Sequence, residues 1–221
     1  MQVFSTSKIT AKDGIKTLVY GPSGVGKTRL AITAPGPFIF SGENGLLSLK
    51  RDNIPYIPIN TYANLKEAFT WFMKSAEARH IQTLFLDSLT EMAQVILAEE
   101  KTKTKDPRKA YGAMQDSVYE LIRAFRDSKG RHVVLICWEQ YVEFGLGKKA
   151  CPVIPSEKLM SALPYFWDLV LHHHHGRTET GVVYQAFHTH DTDWWTAKDR
   201  GGNLNELEEP NLTKLFIKAA A

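Results

Sequence analysis

This chain of 221 residues has only two cysteines, and it lacks long apolar runs and a large excess of one charge. Its two cysteines, Cys137 and Cys151, form neither a disulfide framework nor a four-ligand zinc pattern, so we expect a reducing compartment. No apolar run is long enough to cross a bilayer, and residues 1–14 contain no apolar signal core. We therefore expect a cytoplasmic protein that does not contact membranes.

The charge balance of the chain excludes few classes of function. The formal net charge is +3, which permits nucleic-acid binding but does not indicate it, so any such inference must come from where the charges lie. Hydrophobic residues make up 43% of the chain, enough for one substantial core.

Short apolar runs alternate with longer helical patterns through the first two thirds of the chain. This alternation predicts right-handed crossovers and a mostly parallel sheet with helices on both faces. The predicted strands cover residues 15–20, 37–40, 56–59, 82–86 and 132–138, and the predicted helices cover 62–79, 110–128 and 156–163.

The last part of the chain follows a different pattern. Residues 167–173 and 182–187 read as strands joined by a polar turn, which predicts antiparallel strands at the carboxyl-terminal edge of the sheet. Residues 194–197 predict a further strand. Because we find neither a repeat nor a low-complexity linker, we expect one α/β domain over residues 1–221, with 1–14 as an amino-terminal arm.

Eight consecutive residues match the phosphate-binding pattern G-x-x-x-x-G-K-[ST] in full: Gly21, Pro22, Ser23, Gly24, Val25, Gly26, Lys27 and Thr28. The pattern follows an apolar strand and begins a helix, which is the context that a phosphate cradle requires. Glycines let the backbone wrap an anion, and the helix N-terminus directs N–H groups at it. We expect Lys27 to bridge the β- and γ-phosphates and Thr28 to bind Mg²⁺.

Acidic residues follow two of the predicted strands at the sheet edge where this loop lies. Asp87 ends an apolar strand and is expected to hold Mg²⁺ through water. The next residue, Ser88, is not an acid, so a catalytic base must come from elsewhere. Glu43 follows the strand over residues 37–40 and is our candidate to orient the attacking water, with a solvent-facing turn residue as an equal alternative.

Gln140 follows the strand over residues 132–138 at the same edge. A side-chain amide there is expected to hydrogen-bond the γ-phosphate and to transmit its loss to the following segment. Glu139 is a rival for this role, and a polar residue that merely leaves a strand is an equal alternative.

With these residues in place, the chain resembles the RecA-like ATPases, and most closely the short phage-encoded RecA-core proteins of single-strand annealing and recombination, an AAA-type phage family. The resemblance rests on the phosphate loop, Glu43, the Leu86-Asp87-Ser88 element and the late Lys198-Asp199-Arg200 sequence. It implies an ATPase that uses ATP and Mg²⁺ in the cytoplasm of a bacterial host. It also implies a homo-oligomeric ring or filament, in which Lys198 and Arg200 reach the γ-phosphate of a neighbouring subunit.

The same resemblance implies two loops that bind single-stranded DNA, over residues 101–111 and 140–155, and a single-strand-binding protein as a further partner. Both loops combine cations for phosphates with aromatic rings for bases. The candidate contacts are Lys103, Lys105, Arg108, Lys109, Phe144, Lys148 and Lys149. A solvated charged face is an equal alternative for either loop alone. Because 221 residues leave no room for the separate terminal domains of RecA, we expect annealing or an accessory role rather than full strand exchange.

Two other functions remain open. One is a P-loop enzyme of another class, such as a small-molecule kinase, which would need an acceptor pocket and a lid. The other is a nucleotide-dependent binding module with little turnover. Nothing in the sequence distinguishes ATP from GTP.

Four consecutive histidines occupy positions 172–175. We interpret them as part of an exposed or edge strand rather than a metal site. A hairpin that turns near Thr178 and Glu179 would pair His188 with Leu169, about 10 Å along the strand from the histidine run.

Overall fold

The computed structural model describes residues 13–43 and 45–221, so all but the last two residues of the expected amino-terminal arm lie outside the described part. Within it, ten strands form one sheet in the order β10-β8-β7-β1-β5-β4-β2-β3, with β6 paired to β5 and β9 paired to β7. The strands are β1 Lys16–Tyr20, β2 Pro37–Ser41, β3 Tyr56–Pro58, β4 Thr83–Asp87, β5 His132–Phe144, β6 Gly147–Val153, β7 Leu169–Arg177, β8 Val183–His188, β9 Lys198–Asp199 and β10 Leu207–Glu208.

The sheet is mostly parallel, as the sequence predicts. Strands β7, β1, β5, β4, β2 and β3 run parallel to their neighbours, while β8, β9 and β10 join antiparallel beyond β7. Every residue of β1 and β4 is buried, which is typical of central strands covered on both faces. The predicted α/β fold class is confirmed.

Helices cover both faces of the sheet. They are α1 Tyr62–Lys74, α2 Leu89–Lys103, α3 Pro107–Arg126, α4 Glu157–Ala162 and α5 Leu212–Ala219. Helices α1 to α4 pack with Leu18 and Tyr20 of β1 in one core, while α5 and the 3-10 helix Thr28–Thr33 pack with Val19 in the other. Alternate residues of one strand thus serve opposite cores. No helix in the described part of the chain is both long and apolar enough to span a membrane.

The two segments that we predicted to be DNA-binding loops are mostly regular in the structure. Residues 101–111 are largely helical, because α2 continues to Lys103 and α3 begins at Pro107, where a proline needs no backbone donor. Residues 140–155 are mostly a β-hairpin, since β5 continues to Phe144 and pairs with β6. Gly145, with φ at +58°, makes the hairpin turn rather than a break.

Two predicted elements have other bounds. The helix predicted over residues 62–79 ends at Lys74, and a 3-10 helix, Glu77–His80, follows it. Residues 194–197 form no strand but one isolated bridge between Trp195 and Ala150, and the strand lies just beyond, as β9.

The interpretation of the histidine run is wrong. Strand β7 is not an edge strand, because it lies between β1 and β8, and His172 and His173 are buried. His188 pairs with His172 instead of Leu169. The reason is the turn, which lies further along the chain than we expected: the Thr178 N–H donates to Val182 O, and Gly181 has φ at +83°.

Candidate functional site

A cleft of about 790 Å³ opens at the carboxyl ends of β1, β2 and β4. Parallel pairing places the ends of these strands together, with Ser41 of β2 opposite Asp87 of β4. Ligands of parallel sheets bind at such edges. The cleft is lined by Gly21, Pro22, Ser23, Gly24, Gly26, Lys27, Thr28, Arg29, Glu43, Gly45, Ser48, Asp87, Trp138 and Glu139.

The phosphate loop has the backbone that an anion cradle needs. Gly24 and Gly26 have φ at +79° and +101°, in the region that favours glycine. At Gly21, a Cβ atom would lie 2.2 Å from the His173 carbonyl oxygen, so the loop begins in close contact with β7. Lys27 Nζ donates to the carbonyl oxygens of Gly21 and Pro22, at 2.7 and 2.9 Å, and burial lowers the pKa of Lys27.

Thr28 and Asp87 form the second part of the site. Thr28 Oγ1 donates to Asp87 Oδ2 at 2.6 Å. Burial raises the pKa of the Asp87 carboxyl to about 6, and the Thr28 hydrogen bond opposes that shift. Hydroxyl and carboxylate oxygens are the ligands that Mg²⁺ prefers, and a loop for phosphates adjoins them. The chemistry of these donors therefore fits Mg²⁺ bound with a nucleotide.

Glu43 lies at the rim of the cleft and is held there by two donors. Its carboxylate accepts hydrogen bonds from the Ser88 hydroxyl and the Trp138 indole N–H. Sequence reasoning missed Trp138, although an indole at the end of a strand beside the phosphate loop was a usable signal. Glu43 is exposed, as the alternative of a solvent-facing turn residue predicts, but its carboxylate is held beside the loop by these two hydrogen bonds.

The profile of the AAA domain family matches residues 13–201, which includes the whole cleft. This chain belongs to the AAA domain family. Membership indicates an AAA-type P-loop ATPase that binds a nucleotide. A comparison with curated proteins finds no match.

Gln140 does not reach the cleft of the AAA domain. Its Nε2 donates to Met160 Sδ at 2.8 Å, and it lines a separate cavity of about 1020 Å³ between β6 and α4. Glu139, its rival for the γ-phosphate, does line the cleft, where its Oε2 lies 2.7 Å from His172 Nε2. Successive side chains of a strand point to opposite faces, so only one of these two residues can face the nucleotide cleft.

The late basic pair lies at the other end of the sheet. Strand β9 pairs with the first residues of β7, and Asp168 accepts from both the Lys16 N–H and Arg200. Lys198 Nζ donates to the carbonyls of Pro164 and Trp167. Arg200 is level with Lys16, five residues before Gly21, or about 16 Å along a strand. Neither side chain contributes to the cleft of its own chain.

The candidate DNA contacts of the AAA domain fall into two separate elements. Lys103 ends α2 and pairs with Glu100, while Lys105, Arg108 and Lys109 lie in the turn to α3 and its first residues. On the β5–β6 hairpin, Lys149 Nζ lies 2.8 Å from Asp191 and 4.9 Å from the centre of the Phe144 ring. Lys148 is 3.9 Å from Glu143. The hairpin therefore presents exposed rings, one exposed cation, Lys148, and an exposed acid, Glu143, whereas the Lys149 side chain is only 11% exposed.

Proposed function

We propose that this AAA domain binds ATP with Mg²⁺ in the cleft and hydrolyses it. The observation that carries the proposal is the convergence of Lys27, the Thr28–Asp87 pair and Glu43 around one glycine-lined loop. Mg²⁺, when bound, supplies positive charge against the phosphate oxygens.

Each residue of the site has a separate task in this proposal. Lys27 exchanges two carbonyl oxygens of the loop for phosphate oxygens, which are stronger acceptors. Thr28 would bind Mg²⁺ through its hydroxyl oxygen, and Asp87 beside it would hold the ion through water. Glu43 takes a proton from the attacking water, and Ser88 and Trp138 hold it in a fixed orientation while it does so.

We propose further that the domain binds single-stranded DNA and supports phage-type recombination or strand annealing, as its resemblance implies. The β5–β6 hairpin supports this extension. Phe144 and Tyr141 are 47% and 62% exposed, and Lys148 lies on the partner strand. Exposed rings beside cations suit the stacking and phosphate contacts of single strands. Strand β5 also carries Trp138, so one strand connects the cleft with the hairpin.

We also propose that the domain acts as a homo-oligomer. Lys198 and Arg200 are too far along the sheet to reach their own cleft, so any contact with a γ-phosphate must be made with another copy. This placement supports a trans role in a ring or filament.

The test is an ATPase titration against single-stranded DNA, with oligomer size measured alongside. We expect stimulation by DNA, reduced in Phe144→Ala and Lys148→Ala but unchanged in Lys158→Ala on α4. A hydrolysis rate that does not change with DNA concentration would contradict the proposed role in recombination. Phosphate transfer to a small acceptor would favour a kinase, and nucleotide binding without turnover would favour a binding module.

A further inference from the structure

Three histidines converge beyond the nucleotide cleft. His172 and His174 project from one face of β7, two residues apart, and His188 of β8 is paired directly with His172. One potential ligand atom from each of them lies within 4.8 Å of the other two. The antiparallel register thus assembles three imidazoles from two neighbouring strands.

The ring nitrogens of this cluster are not satisfied by the protein. The Nδ1 atoms of His172, His174 and His188 are buried and have no hydrogen-bond partner within the described part of the chain. The His172 residue is itself only 7% exposed. Buried polar atoms are nearly always partnered, so three exceptions grouped on one face of the sheet need a common explanation. A ligand that accepts lone pairs from all three nitrogens provides one. Both ring nitrogens of His173, on the opposite face of β7, are also unpartnered among the described residues and lie outside this cluster.

Glu139 supports this explanation. Its carboxylate lies 2.7 Å from His172 Nε2, and both side chains are less than a tenth exposed. A carboxylate that accepts the Nε2 proton leaves Nδ1 with a free lone pair. This is the arrangement that orients histidines bound to metals.

We propose that His172, His174 and His188 bind one divalent transition-metal ion of the zinc class through one ring nitrogen each, His172 through Nδ1, with Glu139 as a positioning residue. Three imidazoles and one water make a tetrahedral set. Imidazole favours zinc, copper or nickel over Mg²⁺, so this ion would be distinct from the one that serves the nucleotide.

The site needs a local adjustment to close. Tetrahedral zinc with bonds near 2.05 Å places its nitrogens about 3.3 Å apart, so the present separations must shrink by up to roughly 1.5 Å. The His174 and His188 rings are stacked, with centres 3.8 Å apart, and Trp195 also stacks on His188, with centres 3.6 Å apart. Both histidine rings must leave this stack until their nitrogens converge. Side-chain rotations of this kind leave the β7–β8 register unchanged.

The experiment uses the full chain, stripped of metal with a chelator. Zn²⁺ binding is measured by calorimetry, and Co²⁺ serves as a spectroscopic probe of tetrahedral coordination. The variants are His174→Gln and His188→Gln. His175→Gln is the matched control, because His175 belongs to the same run but is exposed on the opposite face of β7.

We expect one ion per chain and visible Co²⁺ bands typical of a tetrahedral site. Either variant should weaken Zn²⁺ binding by at least about 100-fold, Glu139→Gln by about 10- to 100-fold, and His175→Gln by less than about twofold. Binding lost equally in His175→Gln, or no stoichiometric binding by folded wild type, would overturn the proposal. If the variants fail to fold, the stoichiometry and Co²⁺ spectrum of the wild type decide the question.

Discussion

Thr28 Oγ1 donates a hydrogen bond to Asp87 Oδ2 across 2.6 Å and 59 residues of sequence. The bond ties the phosphate loop to the end of β4 and places two metal-type oxygens together. Asp87 is only 4% exposed, and Thr28 is the direct hydrogen-bond donor to its carboxyl group. The positive charge of Lys27 acts on the same group from further away. Burying the charged Asp87 carboxylate therefore lowers the free energy of unfolding, and this effect can be measured.

Asp87→Asn should stabilise the metal-free protein in a pH-dependent manner. Burial raises the Asp87 pKa from 3.8 to about 6, so the folded state favours the protonated acid. That advantage is complete below pH 3.8 and is lost as the pH rises through about 6. The unfolding free energy of the variant should thus exceed that of wild type by an amount that grows between pH 5 and 7.5, on the order of 1–2 kcal/mol.

Denaturant unfolding without Mg²⁺ or nucleotide measures this difference at each pH. The control is Asp116→Asn, on the exposed face of α3. The same Asp87→Asn variant should bind Mg²⁺·ATP poorly, because an amide is a weaker ligand than a carboxylate. A stability difference that shrinks with rising pH would contradict this account.

Lys27→Ala should weaken ATP binding by about 100-fold, since charge-assisted hydrogen bonds to phosphate contribute roughly 1.5–3 kcal/mol each. Calorimetry with Mg²⁺ and ATP measures the change. Lys50→Ala, an exposed lysine outside the loop, is the control. Unchanged affinity in Lys27→Ala would mean that the nucleotide binds elsewhere.

Local patterns were enough to predict the core of the cleft. The strands before Gly21 and up to Asp87 each contain a short apolar run, and their motifs occupy strand ends, where parallel pairing must bring them together. The position of Glu43 in the lining of the cleft was also predictable, because this residue follows β2 at the same edge. These inferences need only the direction of each strand.

The predictions that failed depended on strand register and on contacts between residues distant in sequence. A shift of three residues in the β7–β8 pairing, set by the turn at residues 178–181, moved His188 from Leu169 to His172. We predicted that Gln140 faces the cleft, but Glu139 lines it instead. The face of β5 on which each side chain lies depends on how the strand continues into its hairpin. The hydrogen bond from Trp138 to Glu43 joins residues 95 apart, which no local pattern encodes.

Glu43→Gln should slow hydrolysis by about 100-fold or more while leaving ATP affinity within about threefold, because an amide cannot take a proton from water. Single-turnover ATPase kinetics measure the chemical step. Trp138→Phe keeps the ring but removes the indole donor, so we expect a smaller loss, about 3- to 10-fold. Glu77→Gln, at an exposed position in the 3-10 helix Glu77–His80, controls for the charge change. Weaker binding in Glu43→Gln with an unchanged rate would remove its role as a base.

Mixing two inactive variants tests the trans role of Arg200. Here the finger is the Arg200 guanidinium that is proposed to reach the γ-phosphate of a neighbouring subunit, and the base is Glu43. Arg200→Ala lacks the finger but keeps the base, whereas Glu43→Gln keeps the finger but lacks the base. If the finger acts across an interface, mixed oligomers contain clefts with an intact Glu43 beside a neighbour's intact Arg200. We expect ATPase activity to recover with a maximum at intermediate mixing ratios, as measured by steady-state phosphate release.

The internal contact of Arg200 supplies the control for that experiment. Arg200 pairs with Asp168, which also accepts a hydrogen bond from the start of β1, so weaker packing at that end is a second explanation for any loss of activity in Arg200→Ala. Asp168→Asn disturbs the same contact yet leaves the guanidinium in place. A trans finger predicts that Asp168→Asn keeps most of its activity, whereas a purely structural role predicts parallel losses in both variants and no recovery on mixing.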